Sequence, residues 1–133
     1  MTKTSLAEPL PFRDDSFDLA IDSYVFCHFT NDALRLRYRR EIARVVKPGG
    51  HFFSSVFSTE DAYYARIRGA DWNHEKLVVD PNNGITKRLY TESEIKQFFA
   101  QEFSMRYFLK FEFEDQVLGE LCLRSILISV LTK

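Results

Sequence analysis

Glycine is scarce in this chain. Its 133 residues hold only five, at positions 49, 50, 69, 84 and 119. No pair stands as Gly-x-Gly, which excludes both a dinucleotide fingerprint and a phosphate-cradling loop. Cysteine is scarcer still: Cys27 and Cys122 are too few for a disulfide scaffold, and a reduced, cytoplasmic setting is the expectation. There is no Cys-x-x-Cys, and His28, His51 and His74 lack ligand spacing, so no metal site is expected. No apolar run approaches the ~18 residues of a membrane span. The start, Met1-Thr2-Lys3-Thr4-Ser5, lacks a basic-then-apolar leader. Neither sign of charge dominates: 18 Lys and Arg face 19 Asp and Glu, a net charge of −1. That balance speaks against partners bound by bulk charge, whether nucleic acid or an anionic membrane.

What is present is apolar and aromatic. Apolar residues make up 45% and aromatic ones 15%, with 13 Phe, enough for one packed domain over residues 1–133. Pro9, Pro11 and the cluster Arg13-Asp14-Asp15-Ser16 predict an extended entry and a turn. Phe17 to Phe26 reads as a strand whose polar end, Asp22 and Ser23, meets solvent or ligand. Thr30, Asn31 and Asp32 are cap residues for a helix over Ala33 to Lys47, with Leu34, Tyr38, Ile42 and Val45 on its apolar face. Arg35, Arg39, Arg40 and Arg44 lie mostly off that face and read as solvated. Pro48-Gly49-Gly50 stops the helix, and His51 to Phe57 reads as a second strand, parallel to the first.

A second helix is expected over Ser58 to Arg68, capped by Ser58 or Thr59. Irregular chain follows from Gly69 to Gly84, then a short strand at Thr86 to Tyr90. Thr91-Glu92-Ser93-Glu94 fits a capping box, with Ile95, Phe98 and Phe99 as the apolar face. Met105, Tyr107, Leu109, Phe111 and Phe113 share one parity in a strand over Phe103 to Phe113. Leu121 to Leu131 closes the chain as another strand, with Gln116 to Glu120 as the turn. The fold class is α/β, ending in an antiparallel hairpin.

Two blocks carry a family resemblance. Ala7-Glu8-Pro9-Leu10-Pro11-Phe12, followed by Ser16-Phe17-Asp18, resembles the approach to the fourth strand of class I S-adenosylmethionine-dependent methyltransferases, of the type 11 kind. Glu41-Ile42-Ala43-Arg44-Val45-Val46-Lys47-Pro48-Gly49-Gly50 resembles their helix before the fifth strand. Tyr90-Thr91-Glu92-Ser93-Glu94-Ile95 and the closing hairpin match the family's tail. The resemblance implies a partial Rossmann-like sheet: two parallel strands with a crossover helix, then a helix and an antiparallel hairpin. It covers the C-terminal half of the family, without the glycine loop and ribose-binding acid of the N-terminal half. The cofactor it implies is S-adenosylmethionine.

The site residues follow from the same resemblance. Ala7 would offer its backbone to the adenine, whereas Leu6 stands where the family has an acid and cannot accept the adenine amine's hydrogen bond. Ser23 and Tyr24 would meet the methionine end of the cofactor; the alternative is a core-packed Tyr24 beside a merely polar strand end. His28 matches a histidine at the active-site mouth and has the chemistry of a base near neutral pH, though a lone His after an apolar run is more often a packing residue. Cys27 reads as a small buried hydrophobe. Trp72 and His74 fall where the family shapes its acceptor pocket, in what is otherwise an ordinary loop.

Function is then expected to be methyl transfer to a small-molecule acceptor, performed only together with a glycine-loop-bearing half and not by this chain alone. The alternative is a non-catalytic dimerisation or partner-binding module on a degenerate methyltransferase fold. Either way, the strand Phe17 to Phe26 is expected as an open edge that pairs with a second copy or a complementary chain.

Overall fold

The computed structural model describes residues 8–68 and 76–133. Its elements are β1 (Phe17–Ser23), a 3-10 turn (Phe26–His28), α1 (Asp32–Val45), β2 (Val46–Phe57), α2 (Ala62–Ile67), β3 (Leu77–Val79), β4 (Thr86–Arg88), α3 (Glu92–Phe99), β5 (Ser104–Val117) and β6 (Glu120–Thr132). Four strands form one sheet in the order β1-β2-β6-β5, and β3 pairs with β4 separately. β1 and β2 are parallel, joined by α1, and β6 runs antiparallel between β2 and β5. This is the partial Rossmann-like sheet with a terminal hairpin that the resemblance implied, and β1 is its bare edge.

Asn31 caps α1, its side chain accepting from the Leu34 amide at 2.9 Å. The predicted apolar face is inward: Tyr38 and Val45 are buried, and Leu34 and Ile42 pack against the core. The helix stops at Val45, two residues short of Lys47. Lys47 precedes Pro48, whose ring disfavours helical backbone before it. Pro48-Gly49-Gly50 lies inside β2 as a bulge: Phe17 pairs with Val46, yet Leu19 pairs with His51. Gly49 has φ +78°, and a Cβ on Gly50 would lie 2.8 Å from the Lys47 carbonyl oxygen. Both glycines of the motif are therefore required by backbone geometry.

Of the arginines of α1 read as solvated, Arg40 is exposed, but Arg35 and Arg39 are not. Arg35 and Arg39 are 8% and 3% exposed. Arg39 donates to the Phe98 carbonyl at 2.7 Å and to Gln101 Oε1 at 2.8 Å, and pairs with Glu102. Arg44 holds Glu41, Asp14 and the carbonyls of Leu10 and Phe12, which ties the entry segment to α1. Cation–ring contact with α3 and charge pairing outweigh the tendency of arginine to stay wet.

Other boundaries shift for local reasons. α2 begins at Ala62, with Asp61 as its cap at 3.1 Å from the Tyr64 amide. Ser58, expected as cap, is buried and bridges to Tyr90. β3 occupies part of the stretch read as irregular. α3 has the capping box built on Thr91 and Glu94. β5 runs four residues further toward the hairpin tip than the strand read over Phe103 to Phe113, β6 begins one residue before Leu121, and the pair turns at Leu118 and Gly119, both at positive φ (55° and 78°), as a two-residue hairpin requires.

A bulge between Met105 and Tyr107 reverses the parity of β5. Met105 and Phe108 both reach the core, while Tyr107, Leu109 and Phe111 are 76%, 53% and 46% exposed. The five residues read as one apolar stripe are thus divided between two faces. The core joins α1 and α3 to one face of the sheet through Phe26, Tyr38, Phe52, Ile95, Phe99 and Leu131. On the opposite face Ile21, Phe53, Val130 and Tyr107 stand in one cross-strand row. A smaller cluster of Tyr63, Tyr64, Val78, Leu89 and Cys122 packs α2 against the hairpin.

Candidate active site

The strand expected to run to Phe26 ends at Ser23, because Tyr24 leaves it at φ +60°. A bulky residue in the left-handed region is a costly outlier, and such outliers concentrate at functional edges. Two contacts hold it. The Tyr24 amide donates to the Ser55 carbonyl at 3.1 Å, and its ring stacks on Phe57 with centroids 4.8 Å apart. The kink leaves Ser23 exposed at the carboxyl end of β1, where ligands bind in open α/β sheets.

Asp22 pins the turn that follows. Its carboxylate accepts from the Val25 amide at 2.8 Å and the Phe26 amide at 3.0 Å, and from the hydroxyl of Tyr38 on α1. Burial raises the Asp22 pKa above the ordinary aspartate value, against the opposing pull of those donors and of nearby His28. The turn delivers His28, whose side chain is exposed beside the strand end. Cys27 points inward, fully buried, and donates to the Tyr24 carbonyl at 3.1 Å. Burial pushes its thiol up to about 12, so it is a buried thiol and not a nucleophile.

The structure thus places Ser23 and Tyr24 at the end of β1 and His28 in the 3-10 turn that follows. Ala7, Trp72 and His74 lie outside the described residues. Sequence reasoning missed a second group around Tyr24. Phe57 carries the Tyr24 ring and has the Lys87 ammonium 5.7 Å and the Arg124 guanidinium 4.9 Å from its centroid. Lys87 donates to Tyr64 Oη at 2.8 Å and reaches Asp80 Oδ2 at 3.4 Å. Although burial works against it, hydrogen bonds from the Asn82 amide and Lys87 hold Asp80 below its usual pKa. These residues are far apart in sequence, and only Asp61, three residues before Tyr64, carried a local cap signal. Two clefts of about 310 and 320 Å³ lie elsewhere, one at the hairpin tip by Tyr63 and Leu118, the other by His51 and Tyr107. Among the described residues no group of three or more His, Cys, Asp or Glu side chains is placed to hold a metal ion.

The class defined by this geometry is an open, partly parallel α/β sheet with a polar, strained carboxyl edge. Comparison with known proteins points to methyltransferases. A family model described as a methyltransferase domain matches residues 2–54. The chain is 32% identical over 84 residues to human "Probable tRNA methyltransferase 9B", covering 63% of this chain and 17% of that protein. It is 50% identical over 50 residues to demethylmenaquinone methyltransferase of Corynebacterium kroppenstedtii, covering 38% of this chain and 20% of that one. Among solved structures, a SAM-dependent methyltransferase from Methanosarcina mazei superposes with TM-score 0.75 at 22% identity, over 98% of this chain and 65% of that one. The Burkholderia thailandensis 1,6-didemethyltoxoflavin-N1-methyltransferase, solved with S-adenosylhomocysteine, gives TM-score 0.63 at 18% identity, over 90% of this chain and 45% of that one. The chain thus has the fold of S-adenosylmethionine-dependent methyltransferases, and its residues 2–54 match their domain model. It spans less than a fifth of the length of the human relative and about two thirds of the Methanosarcina protein.

Proposed function

We propose that this chain forms the acceptor-facing part of a methyltransferase and transfers methyl groups to a small molecule only when a glycine-loop-bearing half completes it. The observation that carries this reading is the carboxyl edge of β1. Exposed Ser23 and the Tyr24 ring lie at that end and exposed His28 in the turn after it, beside a strand with no other neighbour among the described residues. The residues fit one end of the cofactor and not the other. A sulfonium suits an aromatic face and a polar hydroxyl, but no Gly-x-Gly exists to let backbone approach the rest.

S-adenosylmethionine, when bound, supplies a methyl group on a cationic sulfur. Ser23 and Tyr24 would position that end of it. His28 would take the proton that the acceptor nucleophile loses as its bond to carbon forms, holding it on a ring nitrogen and releasing it to solvent. Asp22 pins the turn that carries His28, through the amides of Val25 and Phe26. No described helix is long and apolar enough to cross a membrane, and the reduced, buried cysteines fit a cytoplasmic enzyme.

The test is calorimetric titration with S-adenosylhomocysteine. The chain alone is expected to show no saturable heat. One-site binding is expected once a polypeptide carrying the glycine-loop half is added. Saturable binding by the chain alone would remove the need for a second half. A complex that forms but never binds would favour a non-catalytic partner-binding module.

A further inference from the structure

Two arginines from different elements meet at one carboxylate beside the turn that carries His28. Arg35, in the first turns of α1, donates Nη1 to Asp32 Oδ1 at 2.8 Å. Arg88, at the end of β4, approaches the same oxygen at 3.6 Å. The arginine side chains are only 10% and 13% exposed, whereas that of Asp32 is 86% exposed. The carboxylate therefore reaches inward from solvent to two cations held in the fold.

Aromatic rings fix those cations. The Arg35 guanidinium lies 4.8 Å from the Phe98 centroid and 5.3 Å from that of Tyr90, and the Arg88 guanidinium lies 5.8 Å from Tyr90. The arrangement is not saturated. Among the described residues, Arg35 Nε and Arg88 Nε have no hydrogen-bond partner. Buried donors left over in this way cost stability and need a reason. Two cations also share one carboxylate, and a pair so exposed on its acidic side is easily exchanged. β4 packs against the 3-10 turn, so the cluster borders the candidate base.

We propose that Arg35 and Arg88 form a clamp for the carboxylate of the small-molecule acceptor, with Asp32 as a stand-in that leaves when the acceptor binds. Only the word acceptor rests on the methyl-transfer reading; the clamp itself is measurable without it. A monocarboxylate replacing Asp32 keeps the charge balance, and its two oxygens match the planar donors of guanidinium. The occupant is not a nucleic-acid backbone. Such a strand needs a run of phosphate contacts, and of the other α1 arginines Arg39 and Arg44 are committed to partners within the chain, which leaves only Arg37 and Arg40.

The experiment follows the arginine Nε–Hε resonances of the purified chain during titration with benzoate, inorganic phosphate and a short oligonucleotide. Benzoate is expected to shift the Arg35 and Arg88 signals saturably. Arg88→Gln should weaken that binding at least about tenfold, the loss of one charge-assisted partner. Asp32→Asn, an exposed change that leaves the packing alone, should tighten it severalfold by removing the competitor. No saturable shift, a shift that survives Arg88→Gln, tighter binding by phosphate or oligonucleotide than by benzoate, or an Asp32→Asn variant no tighter than the parent would each overturn the proposal. A chain that acquires S-adenosylhomocysteine binding from its other half yet shows no arginine response loses the clamp alone. An arginine response in a chain that binds no S-adenosylhomocysteine even when joined by its other half leaves the clamp and removes the methyl-transfer reading.

Discussion

Asp61 and Arg124 face each other at 2.8 Å, the carboxylate fully buried at the cap of α2 and the guanidinium reaching it from β6. The same carboxylate accepts from the Ser125 amide at 3.0 Å and the Tyr64 amide at 3.1 Å. One side chain thus caps a helix, neutralises a buried cation and ties α2 to the sheet behind Phe57.

Asp61→Asn removes the charge that Arg124 needs while keeping its volume. The cost expected is about 3–5 kcal/mol, as for other buried ions left without a partner. Replacing Arg124 by Met in the same chain should recover part of it, because the stranded cation is then gone. Urea denaturation of the single and double variants measures both. A single variant within about 0.5 kcal/mol of the parent would show the pair to be incidental.

Asp22 makes stability depend on pH. Its pKa is higher in the folded state than in the unfolded chain, because burial disfavours the charged form more than its donors favour it. The folded state therefore holds this proton more tightly. The resulting stabilisation is fully present below the ordinary aspartate value of about 4 and is lost as pH rises through the higher folded value. Asp22→Asn abolishes that term, so the stability difference should move in the variant's favour as pH rises. A carboxyl carbon titration by NMR checks the cause. A midpoint at or below the ordinary value would refute it.

The edge at β1 should be sticky. Leu19 and Ile21 are 52% and 68% exposed on a strand with one free side. The purified chain is expected to sediment as a dimer, and Ile21→Lys to make it a monomer with stability changed by less than about 0.5 kcal/mol. Parent chain that stays monomeric at all concentrations, and binds no complementary half, would remove the edge as an interface.

Gly50 tests the bulge in β2. A Cβ there would sit 2.8 Å from both the Lys47 oxygen and Val46 Cγ1, and 3.1 Å from the Asp18 oxygen. Two of these neighbours are backbone and cannot swing away. Gly50→Ala should cost about 1–3 kcal/mol, as overpacking does. Gly49→Ala meets nothing within 4 Å and should cost about 1 kcal/mol, from its positive φ alone. Thermal denaturation ranks the two. A Gly49 variant less stable than the Gly50 variant would contradict the geometry.

Local signals were legible where one residue type had one dominant reason to be there. Thr91 with Glu94, Asn31 before α1, and the stripe Leu34, Tyr38, Ile42 and Val45 all behave as their spacing required. The resemblance carried the strand order's meaning and placed Ser23, Tyr24 and His28 at one edge. It did not show that Arg35 and Arg39 are buried, since an arginine buries only when rings and acceptors arrive from elsewhere. Phe98, Gln101 and Glu102 supply them from about sixty residues away. The parity of β5 failed for a similar reason: the bulge after Met105 comes from pairing with β6, and alternation within one strand cannot reveal it.

What the sequence by itself determined was the class of the main elements, the caps of α1 and α3 and the lack of any Gly-x-Gly, because these depend on neighbours within a few residues. The tertiary structure alone decided that Tyr24 is held in a left-handed kink by Phe57, that Asp61 and Arg124 form one buried pair, and that Arg35 and Arg88 converge on Asp32. Those relationships join residues from different elements, and the energy of a buried charge or a strained backbone is set by what packs around it, not by its position in the chain.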